Sequence, residues 1–287
     1  MIIDFHVHIE NKNASEKYSA DDIVDAMENS DIDISVILGN DQADAGYKQP
    51  WVDSPIMTAA VNCSDEEVAF YCNQHPDRLM GFTSIHPDRY QPHKKVERAI
   101  KEFGMKGVKI YPHSGFYPND PRLNGVYQKC IDYDIPAMIH TGIKALQWQS
   151  LKYNNPLYVD DVATNFPDLK IVMCHGGYPW VEEFIVVAYS NSNIWVDLTF
   201  LDDIEKIFKV NMLAENTIKR LNDLIGSERL IWGSEGPYMD LPLFGSHGPE
   251  YYAKSQDLLV RRFDFLSEID KNNILGENAR KLLKLSY

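Results

Sequence analysis

The chain has 287 residues, 44% of them hydrophobic, enough for a large core in one domain or two. Its formal net charge of −14 argues against a nucleic-acid partner, which requires a basic footprint. No apolar run approaches the ~20 residues of a membrane span and no basic leader precedes the first strand, so a cytoplasmic protein with no membrane contact is expected.

Residues 2–8 read as the first strand, because Ile2, Ile3, Phe5 and Val7 favour a pleated backbone. Alternation puts Asp4, His6 and His8 on one face and Ile3, Phe5 and Val7 on the other. Two imidazoles so spaced can grip one metal ion, although an ordinary strand can also carry them. A polar loop, 10–18, leads to a helix with Ser19 as its N-cap. Residues 33–38 form the second strand. The irregular segment 39–55 carries Tyr47 and Trp51 and is long enough to shape or cover a mouth. Ser64 to Glu67 has capping-box spacing, and that helix ends near His75 and Pro76.

The third strand, 79–85, ends at His86. A helix over 94–103 follows, then the fourth strand, 107–111, with Lys109 at its middle. A turn-rich loop, 112–120, holds His113. A helix over 121–133 precedes the fifth strand, 136–140. A loop with Trp148 leads to a helix at 157–166. The sixth and seventh strands span 170–175 and 194–198, and helical sequence covers 204–213 and 216–225. The eighth strand, 229–234, is followed by Glu235. From residue 250 the chain reads as helix, interrupted at Gly276. Cys63, Cys72, Cys130 and Cys174 form no C-x-x-C pair and read as free thiols in a reducing compartment. Alternation turns Cys174 away from the face of His175, as an apolar filler.

Strands alternating with helices imply parallel strands and right-handed crossovers. Eight such units close into a (β/α)8 TIM barrel, a single α/β domain over 1–287. No glycine-rich phosphate loop follows the first strand, which disfavours an open doubly wound sheet. In a barrel, His8, His140 and His175 end strands at the mouth, and Glu235 lies just beyond one. His6, His8 and His140 supply three nitrogens for one divalent ion, Zn²⁺ first, with Mn²⁺, Co²⁺ and Ni²⁺ as alternatives. His175 and Glu235 are the candidate acid/base groups. Lys109, His86 and Tyr178 are candidate substrate contacts, and Trp180 either walls the pocket or packs the next helix. His247 lies in a loop after the eighth strand.

The motifs Asp4-Phe5-His6-Val7-His8, Met138-Ile139-His140-Thr141-Gly142, Met173-Cys174-His175-Gly176-Gly177 and Trp232-Gly233-Ser234-Glu235 resemble the amidohydrolase superfamily. The closer likeness is to its amidohydrolase-related branch, which includes aminocarboxymuconate semialdehyde decarboxylase with related decarboxylases, lactonases and hydratases. Pro118-Asn119-Asp120-Pro121 and Ile274-Leu275-Gly276-Glu277-Asn278-Ala279 add to it. The resemblance implies a metal held by His6, His8 and His140, with His175 as acid/base or second-metal ligand. It also implies an aspartate where this chain has Glu235. Some superfamily members carboxylate a fourth-strand lysine to bridge two metals. For Lys109 that role competes with a substrate-anchoring ammonium and with a barrel-interior lysine paired to a carboxylate.

The expected function is metal-dependent hydrolysis of a small amide, ester or lactone. The alternative is non-oxidative decarboxylation of a small unsaturated or aromatic acid, which needs cations facing the substrate. A metal-binding protein without catalysis is the third reading, and His175 argues against it. The partner is a small molecule, and a homodimer is compatible with the sequence.

Overall fold

Short runs of β-branched and aliphatic residues line up as one parallel sheet in the computed structural model. It describes residues 1–13, 16–40, 63–144, 149–238, 240–241, 245–246 and 248–286. The strands are β1 (Ile3–Val7), β2 (Ile34–Leu38), β3 (Leu79–Ile85), β4 (Gly107–Ile110), β5 (Ala137–Ile139), β6 (Ile171–Cys174), β7 (Ile194–Asp197) and β8 (Leu230–Ile231). They are ordered β1 to β8 in sequence, and every pairing within the sheet is parallel. The barrel closes where Phe5 N donates to Trp232 O at 3.3 Å, His8 N donates to Glu235 O at 3.2 Å, and Val7 bridges Glu235.

Alternation sorts the core. Phe5, Val36, Phe82, Met138, Val172 and Ile231 form one cluster inside the barrel. Val7, Ile37, Val108, Ile139, Met173 and Val196 belong to the layer between strands and helices. All of these side chains are shut off from water, which stabilises the fold by roughly 1.5–3 kcal/mol for each large apolar side chain. Among the described residues no helix is long and apolar enough to cross a membrane.

The first strand departs from simple alternation. Asp4 pairs with Ser35 and Val7 with Ile37, so three steps on β1 oppose two on β2. The extra residue is a β-bulge, and it brings both Phe5 and His6 to the interior. Asp4, expected on the face of the histidines, is thereby turned away. Its carboxylate accepts from Ser234 N at 3.0 Å and His6 N at 3.1 Å, and also from Ser234 Oγ. Burial raises its pKa to about 7.

Helix starts follow their caps. Ser19 and Asp22 form a full capping box at α1 (Ala20–Glu28), and Ser64 Oγ accepts from Glu67 N at α2 (Asp65–Gln74). Helix α3 (Pro92–Phe103) starts two residues earlier than the sequence implied, because Pro92 suits the first turn. Next come α4 (Asn124–Tyr133), α5 (Leu157–Asn165), α6 (Val181–Ser190), α7 (Leu201–Phe208) and α8 (Leu213–Ile225). The last pair sits earlier than 204–213 and 216–225, since Lys209 and Met212 turn left-handed between them. The eighth strand is two residues long rather than six, because Trp232 N leaves the sheet to donate to Ile274 O. The expected break at Gly276 is a π-helical turn, Asn273–Glu277, where a β-carbon would meet Met1 O at 2.1 Å.

Candidate active site

The strand ends deliver four histidines, a glutamate and an aspartate to one end of the barrel. His6 Nδ1 lies 2.6 Å from Asp197 Oδ2, both fully buried. A carboxylate only accepts, so the ring carries its proton on Nδ1 and leaves Nε2 as its lone-pair nitrogen, which accepts from Lys109 Nζ at 3.3 Å. Asp197 is itself held by Thr199 N at 2.9 Å and by the Thr199 hydroxyl. The sequence reading missed Asp197. Its signal was there, an acidic residue ending an otherwise apolar strand in the same position as His140 and His175.

His6 Nε2 is 3.7 Å and His8 Nε2 3.3 Å from Glu235 Oε2. These three donor atoms lie within 4.8 Å of one another, and so do those of a second set, His6, Cys174 and His175. Glu235 reaches the site from a left-handed backbone, φ 74°, and His175 from φ 66°. Such angles are uncommon outside glycine and are tolerated where the surroundings hold them. His175 Nδ1 donates to Thr199 O at 3.1 Å, which leaves Nε2 as its acceptor, and Glu235 Oε1 is 3.6 Å from Nδ1. The His175 ring stands 5.0 Å from His6 and 4.6 Å from His140.

His140 belongs to neither converging set. Its Nε2 donates to Ile143 O at 2.6 Å. His113, a loop residue of open role in the sequence, is buried beside it at 4.4 Å, with Nδ1 accepting from Asn154 Nδ2. His86 is buried at the end of β3, where its ring packs edge-on against Phe116 at 4.8 Å and its Nδ1 accepts from Asp88 N. Tyr178 packs against Phe208 at 5.1 Å with the rings tilted by 36°. With Ile143, Lys144, Leu151, Pro179 and Ile207 these two line a mainly apolar cavity of about 520 Å³, one wall of which, Ile143, accepts from His140 Nε2 through its carbonyl. His247, Trp148 and residues 41–55 lie outside the described residues; Gly39 O accepts from Tyr111 Oη at 3.1 Å.

Two interior residues differ from expectation. Cys174 points into the barrel, not away from His175, because β6 keeps its alternation through Cys174 and only His175 turns left-handed. Lys109 is fully buried, and its Nζ donates to Cys174 Sγ and His6 Nε2, each at 3.3 Å, rather than to a carboxylate.

Burial holds every site imidazole neutral. It lowers His8 and His140 to about 3 and pushes His6, His113 and His175 well below the usual range, with the Lys109 charge acting in the same direction. Glu235 is raised to about 8, again chiefly by burial. Lys109 opposes that rise, while Asp197, Glu10 and Asp203 add to it. A neutral-histidine cluster next to an acidic group that gains from a cation is the electrostatic profile of a metal site.

The family model for amidohydrolases matches residues 3–285. The chain belongs to the amidohydrolase family. Among curated proteins, the chain is 27% identical over 104 residues to Protein fluG of Emericella nidulans, covering 36% of the chain and 11% of fluG. It is 24% identical over 162 residues to the 2-keto-4-carboxy-3-hexenedioate hydratase of Sphingobium sp., covering 49% of the chain and 46% of the hydratase. The chain therefore spans under half the length of either relative. An uncharacterised TIM-barrel protein of Bordetella bronchiseptica shares the fold at TM-score 0.73 and 19% identity, over 99% of this chain and 98% of that one. The manganese-bound 5-carboxyvanillate decarboxylase of Novosphingobium aromaticivorans does so at TM-score 0.67 and 14% identity, over 99% and 96%. This amidohydrolase thus has a single eight-stranded barrel with its chemistry-bearing side chains at the carboxyl strand ends.

Because Asp197 fixes the His6 tautomer, Asp197→Asn is expected to lower metal affinity or activity by roughly 10–100-fold with the fold retained. Metal titration together with a circular dichroism spectrum checks it; unchanged affinity would leave Asp197 a purely structural residue.

Proposed function

We propose that this amidohydrolase is a metal-dependent hydrolase of a small amide, ester or lactone. It would hold one divalent ion with His6 Nε2, His8 Nε2 and a Glu235 carboxylate oxygen. The convergence of those three donors supports the reading, together with the Asp197 contact that keeps the His6 proton on Nδ1; an ion would take the Nε2 lone pair in place of its hydrogen bond from Lys109. Two imidazoles and one carboxylate form a set that suits Zn²⁺, and Mn²⁺ is the alternative because it favours oxygen donors. When bound, such an ion polarises a carbonyl and lowers the pKa of water to about 7.

The chain's own residues supply the rest. His175 is unprotonated near neutral pH and has Nε2 free to accept a proton from the attacking water. It can return that proton to the amine or alcohol that leaves as the C–N or C–O bond breaks. The apolar cavity at Tyr178 and Phe208 takes the hydrocarbon part of the substrate and excludes water from it. Lys109 is fully buried with its ammonium held by Cys174 Sγ inside the barrel, so it presents no cation to a substrate carboxylate. That favours hydrolysis over decarboxylation. The deciding assay gives the metal-loaded protein a panel of lactones, esters, amides and unsaturated or aromatic acids, following acid release and carbon dioxide separately. Carbon dioxide evolution without hydrolysis would replace this reading with the carboxy-lyase one.

His6→Ala combined with His8→Ala is expected to give metal-free protein, and full metal content in that double variant would refute the site. Affinity in the wild type should keep rising up to about pH 8. Glu235 must lose its proton to bind, and its pKa is raised to about 8, whereas the histidines are neutral well before that. Calorimetry in buffers of different ionisation heat should detect the released proton near pH 7. Uptake without proton release would exclude Glu235 as a ligand.

A further inference from the structure

The cavity at Tyr178 is assembled by the segments that follow β5, β6 and β7, the strands whose carboxyl ends place His140, His175 and Asp197. Its volume of about 520 Å³ falls in the range of small-molecule pockets. Among the described residues that line it, Lys144 alone is charged; the rest are Ile143, Leu151, Pro179, Ile207 and the rings of Tyr178 and Phe208. Lys144 Nζ donates to Gln149 O at 3.0 Å, which fixes the head at the wall. A carbonyl orients an ammonium without cancelling its charge, and an ammonium has three N–H donors. Phe208 is 45% exposed, a large apolar ring left at the cavity rim. That ring gains from an apolar body laid against it, and the ammonium gains from an anion where apolar walls weaken screening by water. The protein as a whole opposes such an anion, since the chain carries a net charge of −14, so its recognition requires a local cation.

We infer that this cavity is a subsite for an amphiphilic anion, with a carboxylate held at Lys144 and an alkyl or aryl body laid between Tyr178 and Phe208. This rests on the hydrolase reading above and narrows it: the substrate is an ester, amide or lactone that carries a second carboxylate. That second carboxylate is the end that does not react, because Lys144 lines the cavity and is not part of the His6, His8 and Glu235 set. The cavity meets the site along Ile143, whose carbonyl accepts from His140 Nε2 at 2.6 Å, and along Tyr178, three residues beyond His175. A substrate that spans from Lys144 to the histidines therefore passes Ile143 and Tyr178.

The test titrates hexanesulfonate and its neutral counterpart, hexyl methyl sulfone, into the wild type, Lys144→Met, Lys144→Arg and Phe208→Ala by calorimetry. A sulfonate is a weak metal ligand, so its charge reports on Lys144 rather than on a bound ion. The wild type is expected to bind the sulfonate at least ~10-fold more tightly than the sulfone, as a charge-assisted hydrogen bond would give. Lys144→Met should lose that preference, Lys144→Arg should keep most of it, and Phe208→Ala should weaken both ligands alike. A wild type that binds the two equally, or binds neither, overturns the inference, and that measurement needs no variant. So does a folded Lys144→Met that keeps the preference, because the anion is then held elsewhere. Turnover of the monomethyl and dimethyl esters of suberic acid gives a second readout. The half-ester should show a KM at least ~10-fold lower in the wild type and no such advantage in Lys144→Met. Failure of the hydrolase reading looks different. Sulfonate binding that follows Lys144, without turnover of either ester, removes the hydrolase and leaves the anion subsite. Turnover of both esters at equal KM, with no preference for the sulfonate, keeps the hydrolase and removes the subsite.

Discussion

Glu235→Gln is expected to lose turnover by at least ~10³-fold and to bind its metal weakly. The size reflects the loss of an anionic donor and of a preorganised charge in a buried site, each worth a factor of ~10² or more. Sequence reasoning alone made Glu235 a proton acceptor and had the Gln variant keep its metal through three histidines. The geometry changes that expectation. Oε2 sits 3.3 Å from His8 Nε2 and 3.7 Å from His6 Nε2, within the donor set, whereas His140 is in neither converging set. An amide in that place has no charge to offset a divalent ion. Glu235→Asp should also be impaired, by roughly 10²-fold, because a side chain one methylene shorter on the same left-handed backbone draws the carboxylate back by more than ~1 Å. Metal content and kcat measured on the same preparations separate the roles. Loss of both makes Glu235 a ligand, and loss of kcat alone makes it a proton acceptor. A fully active, fully loaded Gln variant would remove it from the mechanism.

The metal-free protein is expected to lose stability steeply as the pH falls from about 6.5. Five histidines, His6, His8, His113, His140 and His175, have folded pKa values lowered by burial, so below pH ~6.5 the unfolded chain binds protons that the folded one refuses. Stability therefore rises with pH across this window and is lost as pH falls. Asp4 and Glu235 act in the opposite sense. Their raised values, about 7 and about 8, mean that the folded state keeps two protons that the unfolded state releases above ~4. Between pH 5 and 6 the unfolded chain thus carries up to five protons more on histidine and at least two fewer on carboxyls, a net of at most about three. Three protons correspond to a slope of about 4 kcal/mol per pH unit, against a typical total stability of 5–15 kcal/mol. Unfolding is expected within about two pH units below 6.5, and a bound metal should move that midpoint to lower pH. Urea melts from pH 7.5 to 5 read the slope directly. A flat profile across pH 7 to 5 would mean that the histidines are hydrated rather than buried.

The barrel itself was legible because its cause is local. Each strand is a short apolar run bounded by turn formers, and the strand–helix alternation leaves few ways to pair parallel strands. The same runs carry His8, His140, His175 and Glu235 at or beyond their carboxyl ends, so their gathering at one mouth follows from topology. Direction within the mouth was another matter, since alternation assumes an unbroken pleat. The bulge in β1 exists only because β2 pairs with it in a particular register, and it turns Asp4 away while bringing Phe5 and His6 together inside. The left-handed turns at His175 and Glu235 depend on the surrounding structure that holds them, and the first lets Cys174 and His175 serve one interior. Asp197 and Lys109 took their roles from His6, 191 and 103 residues away in sequence, and contacts at that separation leave no local pattern to read. Residue types and strand ends were thus determined by the sequence alone. Which atoms face one another, and so which side chains converge with His6 and His8, was decided by register, bulge and backbone turn in the folded barrel.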